Sequence, residues 1–196
     1  SDLNVHAARR GNFESMVRGA FTNRLAVNAL TPGHPPGMTR LEPDGDVIPL
    51  TEAANRSAAA GTPLVIVAGE RYGMGSSRDW AAKAVALLGV RAVLAASFER
   101  IHRTNLIGMG VVPLLLAPGV HPDTLALAPG DRFDLPLAPA AFAPRRSVVA
   151  HLHRRNGTIE PLNLVMAVET SREVGLLRSG GMIPHVLNAL ITEHQA

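Results

Sequence analysis

Gly69-Glu70-Arg71-Tyr72-Gly73-Met74-Gly75-Ser76-Ser77-Arg78-Asp79-Trp80 decides the fold, because of what stands on either side of it. Before it runs Leu64-Val65-Ile66-Val67-Ala68, short, apolar and rich in β-branched residues, as a buried strand is. After it, Trp80, Ala81, Ala84, Val85, Leu87 and Leu88 recur at helical spacing, and Gly89 stands where a helix closes in a left-handed residue. Ser76, with Asp79 three residues on, is a capping pattern that starts the helix here. The reading is strand, glycine loop, helix N-terminus, with two hydroxyls and a guanidinium at the tip. Backbone N–H groups and the positive end of the helix dipole favour an anion there. Arg78 adds a planar fork that grips a carboxylate with two parallel hydrogen bonds.

The loop is not one of the common phosphate or nucleophile turns. Arg78 stands where a dinucleotide fingerprint needs its third glycine, and no Gly-Lys-Ser/Thr follows. It is not a Gly-x-Ser-x-Gly elbow either. Taken alone, it also fits an ordinary tight strand-to-helix connection with a serine cap.

Moving outward, residues 92–95 read as a second strand, Ser97 as the cap of a helix through about Ile107, and 111–116 as a third strand. Strand-helix-strand-helix-strand at short spacing implies right-handed crossovers and a mainly parallel sheet. The glycine loop then lies at the carboxyl end of its strand, where open α/β sheets hold ligands. Upstream, 12–18 suits a short helix with Phe13, Met16 and Val17 on one side. Residues 31–46 are turn-rich, 47–50 read as a short strand, and a helix starts at Thr51 and ends near Gly61. Downstream the texture turns to β at 131–135, 147–154 and 158–168, with Asn156-Gly157 as a hairpin signal. Thr170-x-x-Glu173 caps a helix, Gly180-Gly181 breaks it, and 183–191 forms a terminal helix. The expectation is one α/β domain over 1–196, with a parallel βαβαβ core and a β-rich C-terminal half.

Composition sets the outer limits. With 196 residues and 46% apolar content the chain can bury a core, built mostly of Ala, Val, Leu and Ile because aromatics make up only 4%. The absence of cysteine excludes disulfides and a thiolate-held cluster within this chain. No apolar run reaches membrane-spanning length, so the expected location is cytoplasmic. Net charge is only +3, and the densest basic patch is Arg9, Arg10, Arg18 and Arg24. That patch reads as a solvated surface or as a face toward an anionic substrate or partner domain. His102 on its helix reads as structural rather than catalytic, and Trp80 as packing its helix on the sheet. His151 and His153 share a strand face but lack a third ligand nearby in sequence, so no metal site is expected.

The longer strings carry a resemblance. Tyr72-Gly73-Met74-Gly75-Ser76-Ser77-Arg78-Asp79-Trp80-Ala81-Ala82-Lys83 resembles the active-site loop of the aconitase superfamily. The likeness continues through Ser97-Phe98-Glu99-Arg100-Ile101-His102-Arg103-Thr104-Asn105-Leu106 and begins upstream at Arg9-Arg10-Gly11-Asn12 and Met16-Val17-Arg18-Gly19-Ala20-Phe21-Thr22-Asn23. It is similar to the C-terminal swivel domain, a β/β/α unit, of the aconitase A and iron-regulatory-protein branch. The resemblance implies that Ser76 is the base acting at a substrate carbon, and that Ser77, Arg78 and Gly75 bind the substrate. Arg9, Arg10, Arg18 and Asp79 become candidate contacts to substrate or partner. A 4Fe–4S cluster is implied on partner domains or a large subunit, none on this chain, with a citrate-like hydroxy acid as substrate.

Departures from the family pattern accompany the match. The Asp-x-x-Thr-Thr-Asp-His-Ile segment that opens such domains is absent, Asn12 is followed by Phe13, and Lys83 by Ala84-Val85 instead of Gly-Pro. Asn188 stands where the family has arginine. Together these imply a fragment or separate subunit of a divergent hydro-lyase, whose substrate need not be citrate. Two other roles stay open: RNA binding of the iron-regulatory type, which shares Asp79-Trp80, and a non-catalytic structural subunit. Few aromatics for base stacking weigh against RNA.

Overall fold

The computed structural model describes residues 11–42, 44–75 and 79–194. The first helix, α1 (Phe13–Arg18), starts at Asn12, whose side chain accepts a hydrogen bond from the Ser15 N–H. Only Met16 of α1 is buried; Phe13, expected on the same packed side, is 61% exposed. Strands β1 (Met38–Thr39) and β2 (Ile48–Pro49) form a small antiparallel pair, and α2 (Leu50–Ala59) follows directly.

The main sheet has six strands. Its parallel half is β3 (Leu64–Ala68), β4 (Val90–Ala95) and β5 (Val112–Leu116), linked by α3 (Asp79–Leu87) and α4 (Arg100–Gly108). A short helix α5 (Pro122–Leu125), which the sequence reading did not anticipate, leads to the antiparallel half of β6 (Arg132–Asp134), β7 (Ser147–His153) and β8 (Ile159–Met166). Helices α6 (Ser171–Arg178) and α7 (Met182–His194) follow. The sheet order is β3-β4-β5-β8-β7-β6, so β8 returns to pair antiparallel with β5 and joins the two halves. The expected mixed α/β fold, with a parallel core and a β-rich second half, is what forms.

Burial follows strand periodicity. In the parallel half both faces are covered: Leu64, Ile66 and Val93 face one cluster with Ala82, Val85 and Leu106, while Val65, Val67 and Leu94 face the other. In β7 alternation is one-sided, with Val148, Ala150 and Leu152 buried between exposed neighbours. The β7–β8 hairpin closes as expected at Asn156-Gly157: the Gly157 N–H donates to the Arg154 carbonyl at 2.9 Å, and Gly157 takes φ +87°.

Two ties fix the helices. The Glu173 carboxylate accepts from Arg103 Nη2 at 2.8 Å and Nη1 at 3.3 Å, from the Glu169 N–H at 2.7 Å and from the Thr170 N–H at 3.3 Å. It thus completes the Thr170 capping box of α6 while holding α6 to α4. The α7 helix has no buried residue and leaves Ile183, Leu187 and Ile191 exposed. No helix among the described residues is long and apolar enough to cross a membrane.

Candidate active site

The loop leaves the carboxyl end of β3 at Gly69, at one edge of the sheet. Its course is strapped to the segment that follows β4. The Arg71 N–H donates to Ser97 Oγ at 2.8 Å, and the Tyr72 N–H donates to the Ser97 carbonyl at 2.9 Å. The Glu99 N–H donates back to the Tyr72 carbonyl at 2.9 Å, which makes Tyr72 and Phe98 an isolated parallel bridge. The Tyr72 ring stands edge-on to Phe98 at 6.1 Å and to His102 at 5.2 Å between centroids. Burial pushes the Tyr72 phenol well above its ordinary range, so it stays neutral.

Beyond Tyr72 the backbone turns through Gly73 at φ +92°, a left-handed conformation open to glycine. A Cβ added there would lie 2.3 Å from His102 Cγ and 2.5 Å from His102 Cδ2, so the imidazole occupies the space a side chain would need. His102 is 3% exposed, and its Nδ1 has no hydrogen-bond partner among the described residues. Burial lowers the imidazole below its ordinary pKa, against the pull of the Glu99 carboxylate, so it is neutral at physiological pH. Glu99 accepts from the His102 N–H at 2.9 Å. Bonds from the His102 and Ile101 N–H groups hold its carboxyl below the usual glutamate range.

Glu99, not Ser97, is therefore the cap of α4. The Ser97 hydroxyl is taken instead by the incoming loop. Trp80, in the first turn of α3, is part-buried, and its buried Nε1 finds no hydrogen-bond partner among the described residues; Ala82, Ala84 and Val85 are the buried residues of that helix.

Of the expected site residues, Gly75 ends the described part of the loop, and Asp79 opens α3, its Oδ1 accepting from the Trp80 N–H at 2.9 Å. Arg18 lies exposed on α1, which packs against α3. Ser76, Ser77, Arg78, Arg9 and Arg10, with the capping pattern at Ser76, lie outside the described residues. The sequence reading did not assign Ser97 or Tyr72 to the loop's support. The signal was available only as three-dimensional proximity, since Arg71 and Ser97 are 26 residues apart.

A groove of about 440 Å³ lies far from this loop, toward the β6 edge, lined by Glu42, Asp44, Arg132, His153, Arg154 and Arg155. Its cations are largely answered by acids: Arg154 by Asp131 and Glu160, and Arg155 by Asp44. Among the described residues no group of three His, Cys, Asp or Glu side chains is placed to hold a metal ion. With cysteine absent from the whole sequence, the residues of this chain do not fit an iron–sulfur cluster.

A strapped glycine loop at the carboxyl end of a parallel strand, followed by a helix at Asp79, stands at the edge of a mixed α/β sheet where such folds commonly place ligands. The profile of the aconitase C-terminal domain family matches residues 1–119, and the chain belongs to that family. It is 43% identical over 195 residues to aconitate hydratase A of Thermus thermophilus, covering 100% of this chain and 22% of that protein. It is 42% identical over 190 residues to phosphinomethylmalate isomerase of Streptomyces viridochromogenes, covering 97% of this chain and 21% of that one. The chain thus spans about a fifth of the length of the curated relatives it matches. Among solved structures, a 3-isopropylmalate dehydratase of Methanocaldococcus jannaschii overlaps 67% of this chain and 68% of its own, with 26% identity and a TM-score of 0.45.

Proposed function

We propose that this chain is the base-carrying and substrate-binding part of an aconitase-type hydro-lyase, which moves a hydroxyl between adjacent carbons of a citrate-like acid. The observation that carries the reading is the loop of residues 69–75, tied through Arg71 and Tyr72 to the segment after β4 and continuing in sequence into Ser76-Ser77-Arg78. Ser76 is the base: its oxygen takes the proton from the carbon beside a substrate carboxylate, and the electron pair left behind forms the double bond as hydroxide departs from the next carbon. Ser77 and Arg78, with the Gly75 backbone, hold the carboxylate. A serine hydroxyl is a weak base in water, and N–H groups in a water-excluded cleft make its alkoxide accessible. Arg9, Arg10, Arg18 and Asp79 face the substrate or the partner.

The acid that assists hydroxide loss is not supplied here. A 4Fe–4S cluster belongs on the other domains or a large subunit, since this sequence holds no cysteine. Similarity to an aconitate hydratase and to a phosphinomethylmalate isomerase at nearly equal identity supports a substrate class wider than citrate.

The reading is tested by dependence on a partner. The pure chain is expected to bind no iron and convert no citrate, and to gain turnover when joined to the cluster-bearing part. Iron–sulfur absorbance in the reconstituted chain alone overturns the division of labour. In the assembled enzyme, Arg78→Lys keeps the charge and loses the bidentate fork, so KM should rise by roughly ten- to a hundredfold, corresponding to ~1.5–3 kcal/mol. An unchanged KM removes Arg78 from the site.

A further inference from the structure

His102 lies beneath the loop and takes no part in the chemistry proposed for Ser76. Three observations set it apart from an ordinary core residue. Its Cβ, Cγ and Cδ2 fill the position a side chain would have at residue 73. The backbone just before Gly73 is fastened by the bonds of Arg71 and Tyr72 to Ser97 and of Glu99 to Tyr72, which hold the loop against the contact. Its Nδ1 is buried without a partner among the described residues, an unfavourable arrangement that a hydrocarbon at this position would avoid. The contact therefore calls for a flat, narrow group in place of an apolar filler of larger girth.

We infer that His102 is a positioning residue: the imidazole edge limits how far the 72–75 backbone descends onto the N-terminus of α4, and so fixes the approach from which Ser76 reaches the substrate. This rests on the reading of Ser76 as the base. The structural counterpart is Gly73, whose missing side chain and left-handed φ make room for the ring.

The test is a double-variant cycle in the assembled enzyme, read as kcat and as exchange of the substrate's α-proton with heavy water, both per folded molecule. His102→Ala should lower both by roughly 30- to 100-fold, the scale of an ångström's misplacement of a reacting group. His102→Asn keeps Cβ, Cγ and a planar δ atom against Gly73 and should stay within about fivefold of wild type on that same scale. Gly73→Ala and His102→Gly should each be impaired, and Gly73→Ala with His102→Gly should recover at least about threefold over Gly73→Ala alone, because only loss of the whole His102 side chain, Cβ included, vacates the space the new methyl enters, while the left-handed φ keeps the recovery partial. Simple multiplication of the two single losses overturns the inference. If Gly73→Ala does not fold, the Ala and Asn variants decide, and equal rates in these two overturn it. Ser76→Ala run alongside separates the two levels: wild-type exchange there sinks the base assignment and this inference with it, whereas lost exchange with uncoupled Gly73 and His102 sinks the positioning role alone.

Discussion

Ser76→Ala in the assembled enzyme is expected to lower turnover by roughly two to four orders of magnitude, the share of a positioned acid–base group. Substrate affinity should stay nearly unchanged, because Ser77 and Arg78 still hold the carboxylate. If Ser76 also caps α3, alanine costs ~1 kcal/mol of stability, so a thermal melt on the same sample must accompany the assay. Activity lost in step with fold does not count for the base. The sharper measurement is heavy-water exchange of the α-proton, which needs the base but not completed rehydration. Wild-type exchange in the alanine variant places the base on another part of the enzyme.

Glu173→Ala should destabilise the fold by about 2 kcal/mol, between the scale of an exposed ion pair and that of breaking a fully buried one. The Arg103 and Glu173 side chains are 11% and 15% exposed, and removing the carboxylate leaves the guanidinium, with Glu169 at 3.6 Å, short of its main partner. The Glu169 and Thr170 N–H groups at the start of α6 lose their acceptor as well. Burial by itself raises the Glu173 carboxyl, but the bonds from Arg103, Glu169 and Thr170 outweigh it and hold it below the ordinary range. The sign follows from linkage: a depressed carboxyl stabilises fully above its unfolded value of about 4.3, and the contribution is lost as pH falls through the lower folded value. The gap in Tm between wild type and Glu173→Gln should therefore narrow below that pH. A gap that is constant from neutrality to pH 3 would show that the charge contributes nothing.

The legible parts of this fold share a local cause. The bounds of β3 match the sequence reading because an apolar β-branched run is bracketed by Pro63 and Gly69. The hairpin at Asn156-Gly157 and the box at Thr170 and Glu173 each depend on residues within a few positions of one another. What was misread depends on distant partners. Ser97 is a sound capping residue by type, but its hydroxyl meets a loop 26 residues away, and Glu99 takes the cap. Phe13 keeps helical spacing with Met16 yet is 61% exposed. In the site itself, the glycine loop and its strand were legible and its support was not. The fit of His102 into Gly73 has no signature in spacing, because both residues look ordinary until the turn brings them together.

The return of β8 to β5 has a consequence in the time domain of protein synthesis. When β5 leaves the ribosome, its Leu114-Leu115-Leu116 edge has β4 on one side, but its other partner, residues 164–166, is not yet made. Roughly 50 residues must still be added, which at 5–20 residues per second takes roughly 2–10 s. During that interval the nascent sheet presents a leucine-rich open edge, the template on which strands of neighbouring chains pair. Slow codons between β5 and β8 would lengthen the exposure, and a chaperone that shields β5 acts over this window and not after it.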